Sequence, residues 1–367
     1  EQALDEQIER INQVDADPRD IAHTLATRTH FDHRAVILGN DTIRGTAHKT
    51  EKIVFVFPGQ GSQWTGMGLA LAQNEPVFRD KLHACAQALA PHTNWNLLDA
   101  LADDNALQHV DIVQPALWAI MVSLAELWRS HGIHPDAVIG HSQGEIAAAH
   151  TAGILTLNDA AKTIALRSKA LTQLAGTGAM ASIPLPPDQI TLPDGITIAA
   201  LNGPTTTIVS GDPTTIQQIP NARRINVDYA SHSPHVQTIK NDILHALADI
   251  TPHQSNITFH STVTNQPNPH LNADYWYQNL RQTVQFHPVI NKLTNTHFIE
   301  ISPHPITIPA IQDTHPNTPA HGTLHRNHTT FTHALAHAHT NGLTIPWHIP
   351  GHHTNLPTYP FQHQRHW

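Results

Sequence analysis

The sequence predicts an α/β protein in which helices cover a sheet of buried strands and a smaller α+β subdomain is inserted among them. Three observations predict it. Ile53-Val-Phe-Val-Phe57 and Ala137-Val-Ile-Gly140 are continuously apolar at strand length. They lack the alternation of a half-exposed strand, as expected of parallel strands buried on both faces. Helical stretches follow each of them, which is the grammar of an α/β sheet. Between residues 176 and 232, short strand candidates crowd together, punctuated by Pro186-Pro187, Asn202-Gly203-Pro204 and Gly211-Asp212-Pro213.

Taken in order, Glu1 to Val14 carries amphipathic helical spacing (Ala3, Ile8, Ile11), a second short helix is expected near Ile21–Ala26, and Arg34–Gly39 is strand-like. Residues 1–50 thus form a small adaptor, and the polar stretch Asn40–Lys52, with Gly45, is expected to be a boundary. The strand Ile53–Phe57 ends at Pro58-Gly59. A helical stretch over 66–90 and an apolar helix over 113–129 come next, then the second buried strand, 137–141. A helix over Gln143–Gly153 follows, and a third over about 157–175 with the stripe Ala160, Ile164, Leu171, Leu174. Strand candidates of the inserted subdomain are Met180–Ile183, Ile196–Ala200, Thr207–Ser210 and Arg224–Val227. The larger sheet resumes with a helix near 235–250 and strands at Ile257–Ser261 and His297–Ile301. After about residue 326 a helix leads into a Pro-rich extended tail ending at Trp367.

Composition limits the function classes. The chain has 367 residues, room for roughly two or three units of about 150 residues. Hydrophobic residues make up 40%, enough for a sizeable core. The net charge of −9 argues against nucleic-acid binding, which needs a basic surface. The single cysteine, Cys85, permits no internal disulfide and no multi-cysteine metal site. The longest near-apolar run, Pro115 to Trp128, contains Ser123 and Glu126 and falls short of the ~20 residues a bilayer span requires. No secretory signal opens the chain, so a soluble protein of the reducing cytoplasm is expected. The 32 histidines are scattered, with no His-Glu-x-x-His pattern. His333, His337 and His339 share a helical segment without a further ligand, so no metal site is expected.

Chemistry concentrates at four places. Gly140-His141-Ser142-Gln143-Gly144 puts a G-x-S-x-G between a buried strand and a helix, the setting of a nucleophile elbow. The bland alternative is a glycine-rich turn with an incidental serine. A serine nucleophile needs a base. Histidines are too plentiful for type alone to select one, and His232, just after the strand candidate 224–227, is one candidate. Arg167 falls in line with the apolar stripe 160, 164, 171, 174, where an aliphatic residue belongs. A buried guanidinium needs an anion, either an internal Asp or Glu or a substrate carboxylate. Finally, Phe57-Pro-Gly-Gln-Gly-Ser-Gln63 follows the first strand, and the backbone N–H groups of Gln60 and Gln143 could together form an oxyanion hole.

These motifs together resemble the acyltransferase domain of type I modular polyketide synthases and, more distantly, the malonyl-CoA:acyl-carrier-protein transacylases. Besides those quoted, Gly140-His-Ser-Gln-Gly-Glu145, Tyr229-Ala-Ser-His232, Asn279-Leu-Arg281 and Phe298-Ile-Glu-Ile-Ser-Pro-His-Pro305 carry the resemblance, which covers essentially the whole chain. It implies an α/β-hydrolase-like large subdomain with an inserted ferredoxin-like small subdomain at about 178–232. Residues 1–50 would be a ketosynthase-to-acyltransferase linker, 51–325 the acyltransferase and 326–367 a post-acyltransferase linker. Ser142 would be the nucleophile and His232 its base. Gln60 and Gln143 would donate to the oxyanion, and Arg167 would bind the extender carboxylate. Asn279 would orient His232 through its backbone carbonyl, giving a dyad.

The implied reaction moves an extender unit from CoA to Ser142 and on to the phosphopantetheine thiol of an acyl carrier protein. No cofactor would be permanently bound. The adjacent ketosynthase would be a partner on the same polypeptide. Tyr229 and Ser231, with Val110-Asp-Ile-Val-Gln114, resemble the methylmalonyl-selective pattern, since a smaller residue at 231 leaves room for a methyl. Malonyl selectivity, or a serine hydrolase or thioesterase, are the rival readings. The hydrolase would want an acid and a late histidine and would leave Arg167 unexplained.

Overall fold

The structure is a computed structural model and describes residues 1–326 and 330–361; Asn327–Thr329 and the end of the extended tail, Gln362–Trp367, lie outside the described residues. The chain divides into a unit made of both termini, Glu1–Lys49 with Thr332–Trp367, and a larger unit, Thr50–Phe331.

In the terminal unit, helices Gln2–Asn12 and Pro18–Ala26 precede the hairpin β1 (His33–Leu38) and β2 (Asp41–Thr46). The second helix starts where Asp17 accepts from the Arg19 amide and Pro18 takes the first turn, where no N–H is needed. The stretch expected as a boundary therefore contains a strand. β2 pairs with β1 across a left-handed Gly39 and is mostly exposed, so it needs no apolar alternation to announce it. The Pro-rich tail lies extended along the second helix. Arg28 donates to the carbonyls of Leu356 and Pro357, the His352 amide donates to Asp20, and the Thr354 amide to Thr24.

Among its described residues the larger unit holds nine strands: β3 (Lys52–Phe57), β4 (Ala137–Gly140), β5 (Ala179–Ile183), β6 (Thr197–Gly203), β7 (Thr206–Gly211), β8 (Arg223–Arg224), β9 (Thr258–His260), β10 (Thr296–Glu300) and β11 (Ala320–Gly322). One sheet is parallel throughout, in the order β11-β10-β3-β4-β9. Its centre is β3 and β4, buried from Val54 to Phe57 and from Ala137 to Gly140. Continuous apolar sequence there reflects cover on both faces.

The second sheet is antiparallel, in the order β6-β7-β5-β8. Counted in chain order its strands run 2-3-1-4, the ferredoxin-like arrangement. Its first crossover holds only the 3₁₀ turn Pro187–Gln189, and the second holds the short helix Pro213–Gln217. The last strand is two residues long rather than the expected four: the Ile225 amide still donates to the Met180 carbonyl of β5, but the Val227 amide turns back onto the Ile225 carbonyl, and both side chains line the cavity described below.

Helix lengths differ from expectation for local reasons. The stretch 66–90 breaks into Leu69–Asn74 and Pro76–Leu89, since Glu75 is extended ahead of a proline. The apolar helix grows to Val110–Ser130, 21 residues, long and apolar enough by composition to cross a membrane. Counting only the run Pro115–Trp128 had made it too short. Within the fold, 78% of its apolar window is buried, so it is the core helix of the larger unit. A helix that the periodicity did not reveal, Ala273–Arg281, is capped by the Asn272 side chain and buries Tyr275, Trp276 and Asn279.

Candidate active site

Ser142 stands at the bend between β4 and the helix Gly144–Thr151, with a left-handed backbone (φ 54°). Such a conformation costs a non-glycine residue energy that the surroundings must hold in place. The flanking glycines serve close approach. A Cβ at Gly140 would lie 2.1 Å from the Glu145 amide nitrogen, and one at Gly144 would lie 2.1 Å from the Phe57 carbonyl oxygen. Gly144 therefore lets the end of β3 pass directly against the bend, and Gly140 lets the first turn of the following helix fold back onto the end of β4; neither position has room for a side chain.

His232 is also left-handed (φ 57°) and only 4% exposed. Its Nε2 lies 2.8 Å from Ser142 Oγ, and its Nδ1 lies 2.8 Å from the carbonyl oxygen of Gln282. A carbonyl can only accept, so the ring carries its proton on Nδ1 and offers the Nε2 lone pair to the serine. The carbonyl that holds the ring is thus Gln282's, whereas the family resemblance implied Asn279's. Asn279 lies inside the helix Ala273–Arg281, where carbonyls point along the axis; Gln282 is the first residue beyond it, with an extended backbone that frees its carbonyl. Burial lowers the His232 pKa to about 3, with the nearby Arg167 charge adding and the Gln282 hydrogen bond opposing. The imidazole is neutral across the physiological range, with its Nε2 lone pair available to the serine proton.

Gln60 follows β3 and Gln143 opens the helix after the bend. Among the described residues no protein acceptor takes the backbone N–H of either. Both residues line a cavity of about 170 Å³ together with Ser142, His232, Tyr229 and Ser231. The opposite wall is apolar, from Met180, Ala200 and Ile208 of the small sheet and from Ile225 and Val227. Tyr229 donates to Gln60 Oε1 at 3.0 Å, and Ser231 donates to the Met180 sulfur at 3.2 Å. His141, beside the nucleophile, meets Asn202 Oδ1 at 2.7 Å.

Arg167 is 1% exposed. Its Nη1 donates to Gln114 Oε1 at 3.1 Å and its Nη2 to Asn279 Oδ1 at 3.0 Å, while Nε has no partner among the described residues. Both partners are neutral amides, and none of the ion pairs among the described residues includes it. Burial lowers its pKa to about 10, which leaves it charged. The guanidinium sits behind Gln114, which lines the cavity, rather than on the wall itself. The sequence marked Arg167 through its misfit in an apolar stripe; Gln114 appeared there only within a specificity motif.

Glu145, quoted in the sequence motif without a role, is fully buried one turn from Ser142. Its Oε1 accepts from the Thr262 amide (2.6 Å) and hydroxyl (2.8 Å), and its Oε2 from the Tyr275 hydroxyl (2.7 Å) and Asn279 Nδ2 (2.8 Å). Burial raises its pKa to about 7 against these four donors. An acid in the first turn of an otherwise apolar helix, Ile146 to Ala149, was the available signal.

A sequence profile of the acyl transferase domain family matches residues 54–345. The chain belongs to that family. As an acyltransferase domain it is 43% identical, over 95% of its length, to the polyketide synthase GfsA of Streptomyces halstedii, and 42% identical over all of it to the pikromycin polyketide synthase component PikAII of Streptomyces venezuelae. It spans only 6% and 11% of those proteins. Among solved structures, the acyltransferase domain from module 8 of the salinomycin polyketide synthase superposes with a TM-score of 0.89 at 40% identity, covering 94% of this chain and 93% of that one. The α/β-hydrolase-like sheet with a ferredoxin-like insertion is shared with such domains. Among the described residues no cluster could hold a metal ion.

The buried histidines of this acyltransferase domain predict acid sensitivity. His232 and His150 are pulled to about 3 and about 4 by burial, against roughly 6.5 in an unfolded chain. Their contribution is complete above that unfolded value and is lost as pH falls toward the folded values, because the unfolded chain then binds protons the fold refuses. Glu145, raised to about 7, and Glu300, also raised by burial, oppose them, while His141, lowered by burial, and His339, lowered to about 4, add to the histidine side. The urea midpoint is expected to drop between pH 7.5 and pH 5, and a midpoint that held or rose would contradict these assignments.

Proposed function

We propose that the domain takes a methylmalonyl unit from its CoA thioester onto Ser142 and delivers it to the phosphopantetheine thiol of an acyl carrier protein. The carrying observation is that one cavity is bounded by the Ser142–His232 contact and by Gln114, behind which Arg167 remains charged and unpaired by any acid. In the first half-reaction His232 Nε2 takes the Ser142 proton as Oγ attacks the thioester carbonyl. The oxyanion lies between the free N–H groups of Gln60 and Gln143, and the C–S bond breaks as the proton passes to the leaving CoA sulfur. In the second, His232 takes the proton of the carrier's thiol, whose sulfur attacks the acyl-serine, and returns it to Ser142 Oγ. The neutral Gln282 carbonyl orients the ring throughout and adds no buried negative charge beside the oxyanion.

The carboxylate of the extender meets Arg167 in this reading, taking its unpartnered Nε–H and displacing Gln114. Such charge-assisted recognition favours a carboxylated substrate over a plain acyl chain. The serine-hydrolase alternative leaves that cation idle. Membership in modular synthases supports the remaining assignments. Residues 1–50 link to a preceding ketosynthase, which is the partner on the same polypeptide, residues 326–367 are the linker beyond the domain, and the protein works in the cytoplasm. With Cys85 the sole cysteine, the sequence has no internal disulfide that would need an oxidising compartment.

Methylmalonyl over malonyl rests on Ser231, whose small side chain faces the cavity wall at Met180. Ser231→Phe is expected to lower the ratio of kcat/KM for methylmalonyl-CoA over malonyl-CoA by about 10- to 200-fold, the range a methyl group commands in a pocket. An unchanged ratio would remove the specificity role, and a wild type that prefers malonyl-CoA would reverse the extender assignment.

A further inference from the structure

The geometry points to Asn279 as the residue that sets the position of Arg167 relative to Ser142, and to Glu145 as the residue that fixes which way the Asn279 amide faces. This rests on the reading of Arg167 as the carboxylate binder. Asn279 is 1% exposed and touches three parts of the site. Its Oδ1 accepts from Arg167 Nη2 at 3.0 Å, and its Nδ2 donates both to the Ser142 carbonyl oxygen at 3.0 Å and to Glu145 Oε2 at 2.8 Å. One planar amide therefore ties the backbone of the nucleophile to the guanidinium.

The orientation of that amide follows from the chemistry of its neighbours. A guanidinium only donates, so it must face the amide oxygen; a peptide carbonyl only accepts, so it must face the NH₂. Glu145 reinforces the same choice, because all four of its contacts are donated to it. The network also accounts for a buried cation without a direct ion pair. Its nearest acid stands one amide away, so Glu145 does not occupy the donors that a substrate carboxylate needs. A carboxylate bonded directly to Arg167 would compete with the extender for them.

Glu145→Gln tests the second half of the proposal. Its new NH₂ cannot take the Oε1 position, where the Thr262 amide N–H is fixed, so it takes the Oε2 position. There the Tyr275 hydroxyl can rotate to accept, but Asn279 can accept only by flipping. Flipped, Asn279 turns NH₂ toward Arg167 and oxygen toward the Ser142 carbonyl, like against like at both ends. Asn279→Asp tests the first half by placing a carboxylate on Arg167 itself.

The experiment compares acylation of Ser142 by methylmalonyl-CoA and by propionyl-CoA, which differ by the free carboxylate. In the full-length chain carrying Glu145→Gln, the ratio of the two rates is expected to fall by about tenfold or more, chiefly through KM for methylmalonyl-CoA, the size expected for a displaced hydrogen bond to a charge. Asn279→Asp lowers it further. Thermal melting establishes that each variant is folded, and if Asn279→Asp is not, Glu145→Gln decides. Equal losses for both substrates, or a ratio held within about twofold of wild type in a folded variant, would overturn the positioning role. Failure of the underlying reading looks different. Wild type itself would then show no preference for methylmalonyl-CoA over propionyl-CoA, and the proposal would fall with it.

Discussion

Ser142→Ala is expected to lower acyl transfer from methylmalonyl-CoA to a carrier protein by roughly 10⁴-fold or more, the loss found when a covalent nucleophile is removed. The size follows from the geometry. His232 has its Nε2 lone pair on Ser142 Oγ, and its other nitrogen is committed to Gln282, so without the hydroxyl the base has nothing to activate. The oxyanion donors and the cavity would remain, and they alone support only slow direct exchange. Both members of the dyad are held in left-handed backbone, so the contact is imposed by the frame and not by the side chains finding each other. Transfer is read by the appearance of acylated carrier protein. A variant retaining more than about a tenth of wild-type rate would mean that the hydroxyl is not the nucleophile.

Arg167→Ala should have the next largest effect, and a selective one. Truncating one partner of a buried charge pair costs about 2–5 kcal/mol, or roughly 30- to 4,000-fold at about 1.4 kcal/mol per decade. That loss should fall on methylmalonyl-CoA and malonyl-CoA, while loading from acetyl-CoA or propionyl-CoA drops much less and gains in relative terms. The structure gives the reason for selectivity. Among the described residues Arg167 makes no hydrogen bond to Ser142 or His232; its hydrogen bonds run to Gln114 and Asn279, and its charge acts on His232 only by adding to the lowering of that pKa. Equal losses for carboxylated and plain substrates would indicate a structural role for the guanidinium.

What was legible in the sequence was whatever a short stretch decides by itself. The apolar runs at β3 and β4 need buried faces, the glycines at 140 and 144 permit a close-packed bend between strand and helix, and Arg167 breaks an apolar stripe. What was not legible depends on residues distant in the chain. Thr262 and Tyr275 lie more than a hundred residues from Glu145, so no local pattern could join them. Which carbonyl holds His232 depends on where the helix Ala273–Arg281 stops. Asn279 is important in the structure, but through its side chain, and Gln282 supplies the carbonyl because it is the first residue released from the helix. The hairpin strand β2 was hidden for the opposite reason, being too exposed to carry an apolar signature.

The most direct measurement is intact-protein mass spectrometry with peptide mapping after exposure to methylmalonyl-CoA, followed by addition of a phosphopantetheinylated carrier protein. The account predicts one acyl adduct, on Ser142, that outlives several turnovers' worth of exposure to water and moves to the carrier's thiol when it is added. An adduct on another residue, or hydrolysis of the thioester with no adduct and no transfer, would contradict it.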